Sequence, residues 1–202
     1  MFCSVEEAVE EFAQGRFLVL VDDRDREDEG DLITPAQFVT AAKINLMLAE
    51  ARGMLHLATT RPHLAQLGID LIRPRHADAV TPRFGLPFDA RHGITTGISA
   101  PDRAATIRRA LEPGVGPDDF VVPGHVLPLA ADERGLRGRR GHTEGSVELA
   151  RLAGLFPAAV MSEVLTPAGD MAKGGQLEAF ADQLGCRLID IASLTGAAAV
   201  AG

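Results

Sequence analysis

Short apolar runs recur along the chain at intervals that alternate with helix-like segments. Phe17-Leu18-Val19-Leu20-Val21 and Met54-Leu55-His56-Leu57-Ala58 read as buried strands, as do Val126 to Ala130, Ala158 to Leu165 and Arg187 to Ile191. A shorter strand is expected over Asp31 to Thr34, closed by Pro35. Between these runs lie helical signals. Ser4-Val5-Glu6-Glu7 is a capping box whose helix should stop at Gly15. Thr40 to Arg52 carries an apolar face of Ile44, Leu46, Met47 and Leu48 and ends at Gly53. Arg61-Pro62 opens a helical turn closed by Gly68, and Ser99 with Pro101 and Asp102 starts a helix to about Leu111. Thr143 looks like the cap of a helix through Leu152 and Ala153 ended by Gly154, and Gln176 to Leu184 is a helix ended by Gly185. Pro74, Pro82 and Pro87 make Asp70 to Phe88 a loop or edge strand. Glu112 to Asp119, Val122 to His125 and Ala131 to Gly141 are expected as loops. Strands alternating with helices predict an α/β class fold, an α+β sandwich of mixed sheet and helices. No repeat or linker interrupts 1–202, which is expected to be a single domain.

Composition narrows the partners. A net charge of -8 and 4% aromatic residues, with no Trp or Tyr, argue against a nucleic-acid groove. Arg134, Arg137, Arg139 and Arg140 form a local cluster better suited to a small anion than to a polymer, although a solubilising turn accounts for it equally well. No apolar run approaches a membrane span and no leader pattern opens the chain, so neither export nor a membrane is expected. Cys3 and Cys186 fit no metal or redox spacing, and a reducing, cytoplasmic setting is the simplest expectation.

The chemistry concentrates in two places. All eight residues from Asp22 to Glu29 are charged, six carboxylates and two arginines, directly after an apolar strand. Neighbouring carboxylates repel, and a hard divalent cation is the usual relief; a solvated acidic turn is the alternative. Arg139-Arg140-Gly141-His142-Thr143-Glu144 puts a histidine at a helix start, where free N–H groups favour an anion and the imidazole could join a metal. His125, after Pro123-Gly124, could carry a proton or be a plain turn residue. Glu163, among apolar neighbours, is either on a solvated sheet face or a buried acid or base. Thr95, Thr96, Ser99, Asp102 and Arg103 could hold a phosphate, although helix capping explains the serine and aspartate equally well.

Taken in order, Asp25 to Leu32, Gly93 to Ala100 with Asp102-Arg103, Pro123-Gly124-His125, Gly141 to Glu144 leading to Leu149 to Gly154, and Glu163 resemble the 3,4-dihydroxy-2-butanone-4-phosphate synthases of riboflavin biosynthesis over nearly the whole chain. The resemblance implies a homodimeric, Mg²⁺-dependent carbon-carbon lyase converting D-ribulose 5-phosphate, a sugar phosphate, to a four-carbon phosphate and formate. It implies Glu27 and His142 as ligands of Mg²⁺, with Mn²⁺ a fair substitute. His125, Glu163, Glu29 and Asp31 are implied in catalysis, and Arg26, Glu27, Asp31, Arg139, Arg140, Gly141, His142, Thr143 and Glu163 in substrate binding. Thr95 and Thr96 are implied as phosphate contacts donated by a second subunit.

Three departures stand out. His56 lies where the family commonly carries a cysteine, and Arg24 where a carboxylate is usual. Thr81 to Asp89, with Pro82 and Pro87, replaces a stretch that normally reads as a proline-free strand. They leave two alternatives to the synthase reading: a diverged enzyme acting on another ketose or pentose phosphate in a different pathway, and a catalytically inactive sugar-phosphate binder.

Overall fold

The computed structural model describes residues 2–23, 26–76 and 81–200. Arg24 therefore lies outside the described residues. Within them the strands are β1 (Leu18–Val21), β2 (Gly30–Pro35), β3 (His56–Thr60), β4 (Phe88–Ala90), β5 (Phe120–Ala131), β6 (Ala158–Glu163) and β7 (Arg187–Asp190). They form one mixed sheet in the order β4-β5-β3-β6-β2-β1-β7. The helices are α1 (Val5–Ala13), α2 (Ala41–Leu46, continued by a wider turn over Met47–Ala51), α3 (Arg61–Gln66), α4 (Ala100–Ala110), α5 (His142–Leu152), α6 (Gly175–Leu184) and α7 (Ile191–Val200).

Helices cover both faces of the sheet, so its central strands have no solvated side. Within β1, Leu18 and Leu20 pack towards α1, α5 and α7, whereas Val19 faces the layer holding α2, α4 and α6. The same alternation divides Leu32 from Ile33 in β2, Leu57 from Ala58 in β3 and Val160 from Met161 in β6. Residues that alternate in direction yet are all apolar are what a doubly covered sheet requires. That is why these strands appear in the sequence as unbroken apolar runs.

Local chemistry fixes several boundaries. Ser4 and Glu7 form the reciprocal capping box, and Ser99 caps α4 through the Asp102 N–H. Gly15, Gly68, Gly154 and Gly185 end their helices with positive φ. Other boundaries differ from the sequence reading. α5 begins at His142 with Gly141 as its N-cap, so Thr143 is inside the helix and does not cap it. The helix after Thr40 ends with Arg52 in the left-handed conformation, one residue before Gly53. Val122 to His125 lies within the long strand β5 but bulges out of register with β4, between Val121 opposite Asp89 and Val126 opposite Phe88; the Gly124 N–H donates to the Pro87 carbonyl at 2.8 Å, and proline is tolerated at such a bulge. The chain also continues into α7 after β7; its Ala-rich sequence is a good helix former.

Candidate active site

The ends of the central strands gather the charged residues. β1 and β2 are an antiparallel pair with Val21 opposite Gly30, so the acidic loop between them must turn back at one end of the sheet. Asp22 holds that loop closed. Its Oδ1 accepts from the Glu29 backbone N–H at 2.8 Å, and its Oδ2 accepts from Arg26 Nη1 at 2.6 Å. Arg26 donates in addition to Glu27 Oε2 at 2.6 Å, and Lys173 Nζ donates to the Glu27 carbonyl at 2.8 Å.

The first turn of α5 lies over this loop. Ligand atoms of Asp22, Glu27 and His142 all fall within 4.8 Å of one another, two carboxylates and an imidazole. His142 Nε2 also lies 3.4 Å from the Glu29 carbonyl oxygen. Glu27 and His142, expected as metal ligands, are thus brought together across 115 positions of sequence. Oxygen donors in excess, one exposed carboxylate and net negative charge suit a divalent cation such as Mg²⁺ or Mn²⁺.

Asp31 and Glu163 occupy directly opposed positions of β2 and β6. The Glu163 Oε2 accepts from the Met54 N–H at 2.8 Å. Asp31 is buried, and burial chiefly, helped by Glu163, Glu29 and Asp22 and opposed by His142, pushes its pKa from 3.8 to about 6. That displacement corresponds to about 3 kcal/mol at neutral pH. Burying each of the flanking Leu20, Leu32 and Ile33 contributes roughly 1.5–3 kcal/mol, enough to hold the acid in place. Glu29 is also shifted upwards, first by burial and then by Glu27, with Lys173 opposing.

Arg26, Glu27, Glu29, Asp31, Arg139, His142, Thr143 and Glu163 line one small cleft of about 100 Å³, closed on its other wall by His56, Pro82, Phe84, Leu129 and Met161. Arg139 is anchored by Glu144 at 2.7 Å, and Glu144 Oε1 accepts from the Asp132 N–H. Arg140 pairs with Asp23 at 3.0 Å on the rim. Gly141 precedes the first turn of α5, where the positive end of the helix dipole favours an anion.

His125, Thr95 and Thr96 do not line this cleft. His125 Nδ1 lies 2.7 Å from Asp89 Oδ2, and its backbone N–H donates to Asp89 Oδ1 at 3.0 Å. Asp102 accepts from the Thr95 hydroxyl at 2.7 Å, the Thr95 N–H and the Gly97 N–H, contacts that lower its pKa to about 2. Asp102 therefore ties down the loop before α4, in addition to sitting at the start of that helix.

Three residues went unnoticed as functional in the sequence. Asp22 belonged to the acidic run, but nothing in the spacing separated it from its neighbours. Asp89 and Glu144, partners of His125 and Arg139, each come from segments remote from, or on the opposite side of a turn from, the groups they orient.

A sequence profile of the 3,4-dihydroxy-2-butanone 4-phosphate synthase family matches residues 6–197. The chain belongs to that family. A 3,4-dihydroxy-2-butanone 4-phosphate synthase of Pseudomonas syringae pv. tomato is 44% identical over 193 residues, 96% of this chain and 52% of the relative. A riboflavin biosynthesis protein of Aquifex aeolicus is 46% identical over 195 residues, 96% of this chain and 48% of the relative. The chain thus spans about half the length of these two relatives. A crystal structure of a 3,4-dihydroxy-2-butanone 4-phosphate synthase in complex with two magnesium ions has a TM-score of 0.90 at 36% identity, covering 96% of this chain and 95% of that one. The mixed α/β fold expected from the sequence is the fold of the family.

Proposed function

We propose that this protein converts D-ribulose 5-phosphate to 3,4-dihydroxy-2-butanone 4-phosphate and formate, a carbon-carbon lyase reaction of riboflavin biosynthesis. The observation that carries the reading is the cleft itself, where two opposed carboxylates, Asp31 and Glu163, stand beside the Asp22, Glu27 and His142 cluster. Its support from similarity is the family membership and the magnesium complex of a relative.

In this reading Glu27 and His142, with Asp22 beside them, hold the divalent ion, Mg²⁺ with Mn²⁺ as a substitute. A bound ion of this kind supplies Lewis acidity towards a ketose carbonyl. Proton movement belongs to the protein's carboxylates. Asp31, with a pKa of about 6, exchanges a proton near neutrality, and Glu163 and Glu29 stand close enough to share the work. Arg26, Arg139 and Arg140 supply cationic donors to the phosphate, joined by Gly141 and Thr143 at the α5 N-terminus.

The same reading makes the active form a homodimer in which Thr95, Thr96 and His125 serve the neighbouring subunit's cleft. Support comes from their placement away from the cleft of their own chain and from the exposed Ile98, Val121 and Val122 close to them in sequence. A cytoplasmic location is proposed with it. Cys3 and Cys186 are free thiols, and among the described residues no helix is long and apolar enough to cross a membrane.

Incubation of the purified protein with ribulose 5-phosphate and Mg²⁺ tests the proposal. One formate and one four-carbon phosphate are expected per pentulose phosphate consumed. Binding of the sugar without formate release would reject the assignment.

A further inference from the structure

Two departures noted in the sequence meet in space. His56, the first residue of β3, packs against Phe84 of the proline-containing segment, with ring centroids 5.7 Å apart and planes inclined at 55°. Both side chains wall the cleft described above. His56 is only 2% exposed, both its ring nitrogens are buried, and among the described residues neither has a hydrogen-bond partner. A neutral imidazole carries one donor and one acceptor, and a buried polar group left without partners is a rarity that calls for a cause.

The geometry around Nδ1 suggests that cause. Glu163 Oε1 lies 3.9 Å from His56 Nδ1, too far for a hydrogen bond. The other carboxylate oxygen of Glu163 is already fixed by the Met54 N–H. A single hydroxyl oxygen, accepting from one atom and donating to the other, spans a gap of this size with two hydrogen bonds of ordinary length. Phe84 on one side and the strand on the other hold the ring in place; Nδ1 is covered in the unliganded cleft, so the bridging hydroxyl reaches it as the Glu163 side chain gives way slightly on binding.

We infer that His56 is a substrate-contacting residue of this site, and that a hydroxyl of the sugar phosphate bridges His56 Nδ1 and Glu163 Oε1. The inference rests on the function proposed above and deepens it. Burial favours the neutral ring, with the Glu163 carboxylate opposing, and the neutral form keeps both a donor and an acceptor for a polyol. The contact also orients Glu163, so His56 acts both on the ligand and on the carboxylate opposite Asp31.

The test combines kinetics with a direct observation of the ring. His56→Phe keeps an aromatic ring and removes both nitrogens; its KM for ribulose 5-phosphate is expected to rise about tenfold, and His56→Gln, which retains a donor and an acceptor, to recover part of that loss. In ¹⁵N-histidine spectra of the unmodified protein with Mg²⁺ and continuously replenished, saturating ribulose 5-phosphate, the His56 nitrogen signals should shift; this measurement needs no variant to fold. KM and kcat of His56→Phe within twofold of the unmodified protein, or His56 signals unmoved in protein that is releasing formate, would overturn the inference alone. Unmodified protein that releases no formate would overturn the function proposed above, and this inference with it.

Discussion

Asp31 and Glu163 face each other at opposed positions of β2 and β6, two carboxylates in register at the end of a sheet whose neighbouring positions are apolar. Directly opposed like charges destabilise a strand pair. A fold that keeps them there has specified the pair through everything around it: Leu20 and Ile33 beneath, His142 above, and the Met54 N–H on the free side of Glu163.

Asp31 should therefore stabilise the protein when replaced by asparagine, while abolishing activity. The native carboxyl keeps its proton up to about pH 6 and the free carboxyl releases it near 3.8, so stability falls as pH rises between those values and the deficit persists above them. Asp31→Asn is expected to raise the unfolding free energy of metal-free protein by roughly 1–3 kcal/mol at pH 8 and by almost nothing at pH 4. Urea denaturation at the two pH values measures this; an equal effect at both would contradict the buried-acid account.

Gly53 guards the position of Glu163. A Cβ there would lie 2.6 Å from Glu163 Oε2 and 2.7 Å from its backbone nitrogen, and backbone atoms cannot move aside cheaply. Gly53→Ala should displace the carboxylate and lower kcat by about 100-fold, the scale of a misplacement near 1 Å. The backbone contacts should lower stability as well, so kcat is to be compared below the melting temperature of the variant, read by circular dichroism. Undiminished kcat would mean that the exact placement of Glu163 is unimportant.

Asp22 should matter to metal affinity despite its engagement with Arg26 and Glu29. Loss of a residue that orients or completes a metal site weakens binding by about 10–100-fold. Calorimetric titration of Asp22→Asn with Mn²⁺ is expected to fall in that range, against a larger loss for Glu27→Gln. Unchanged affinity in Asp22→Asn would limit its role to closing the loop.

Arg139 and Glu144 form a nearly buried pair, with side-chain exposures of 10% and 1%. Removing one partner leaves the other charge without its counterpart, a change that costs about 3–5 kcal/mol in such pairs. Arg139→Ala is expected at the lower end, because Glu144 keeps the Asp132 N–H. Adding Glu144→Gln should recover stability but not substrate affinity, separating anchoring from phosphate contact.

Much of the architecture was legible because its causes are local. Capping at Ser4 and Ser99 and the left-handed glycines at 15, 68, 154 and 185 announce helix ends in the residues themselves. The path of Val122 to His125 within β5 was not legible, because it is set by the pairing of the flanking Val121 and Val126 with β4 and not by its own proline- and glycine-rich sequence. The same distinction applies at the site. Glu27 and His142 could be named because their motifs resemble a family, whereas Asp22 emerged only when the turn between β1 and β2 brought it beside them. Likewise Thr95 looks like a free anion donor in sequence, yet in the fold its hydroxyl is engaged by Asp102.

The central claim is that Glu27 and His142 hold one divalent ion that the reaction requires. Its most direct test is to strip the protein of metal with EDTA, restore graded Mn²⁺, and follow bound ion by electron paramagnetic resonance alongside formate release. The unmodified protein should bind the ion and recover activity in step, and Glu27→Gln and His142→Ala should lose both together. Formate release that survives in stripped protein, or binding that is unchanged in the two variants, would contradict it.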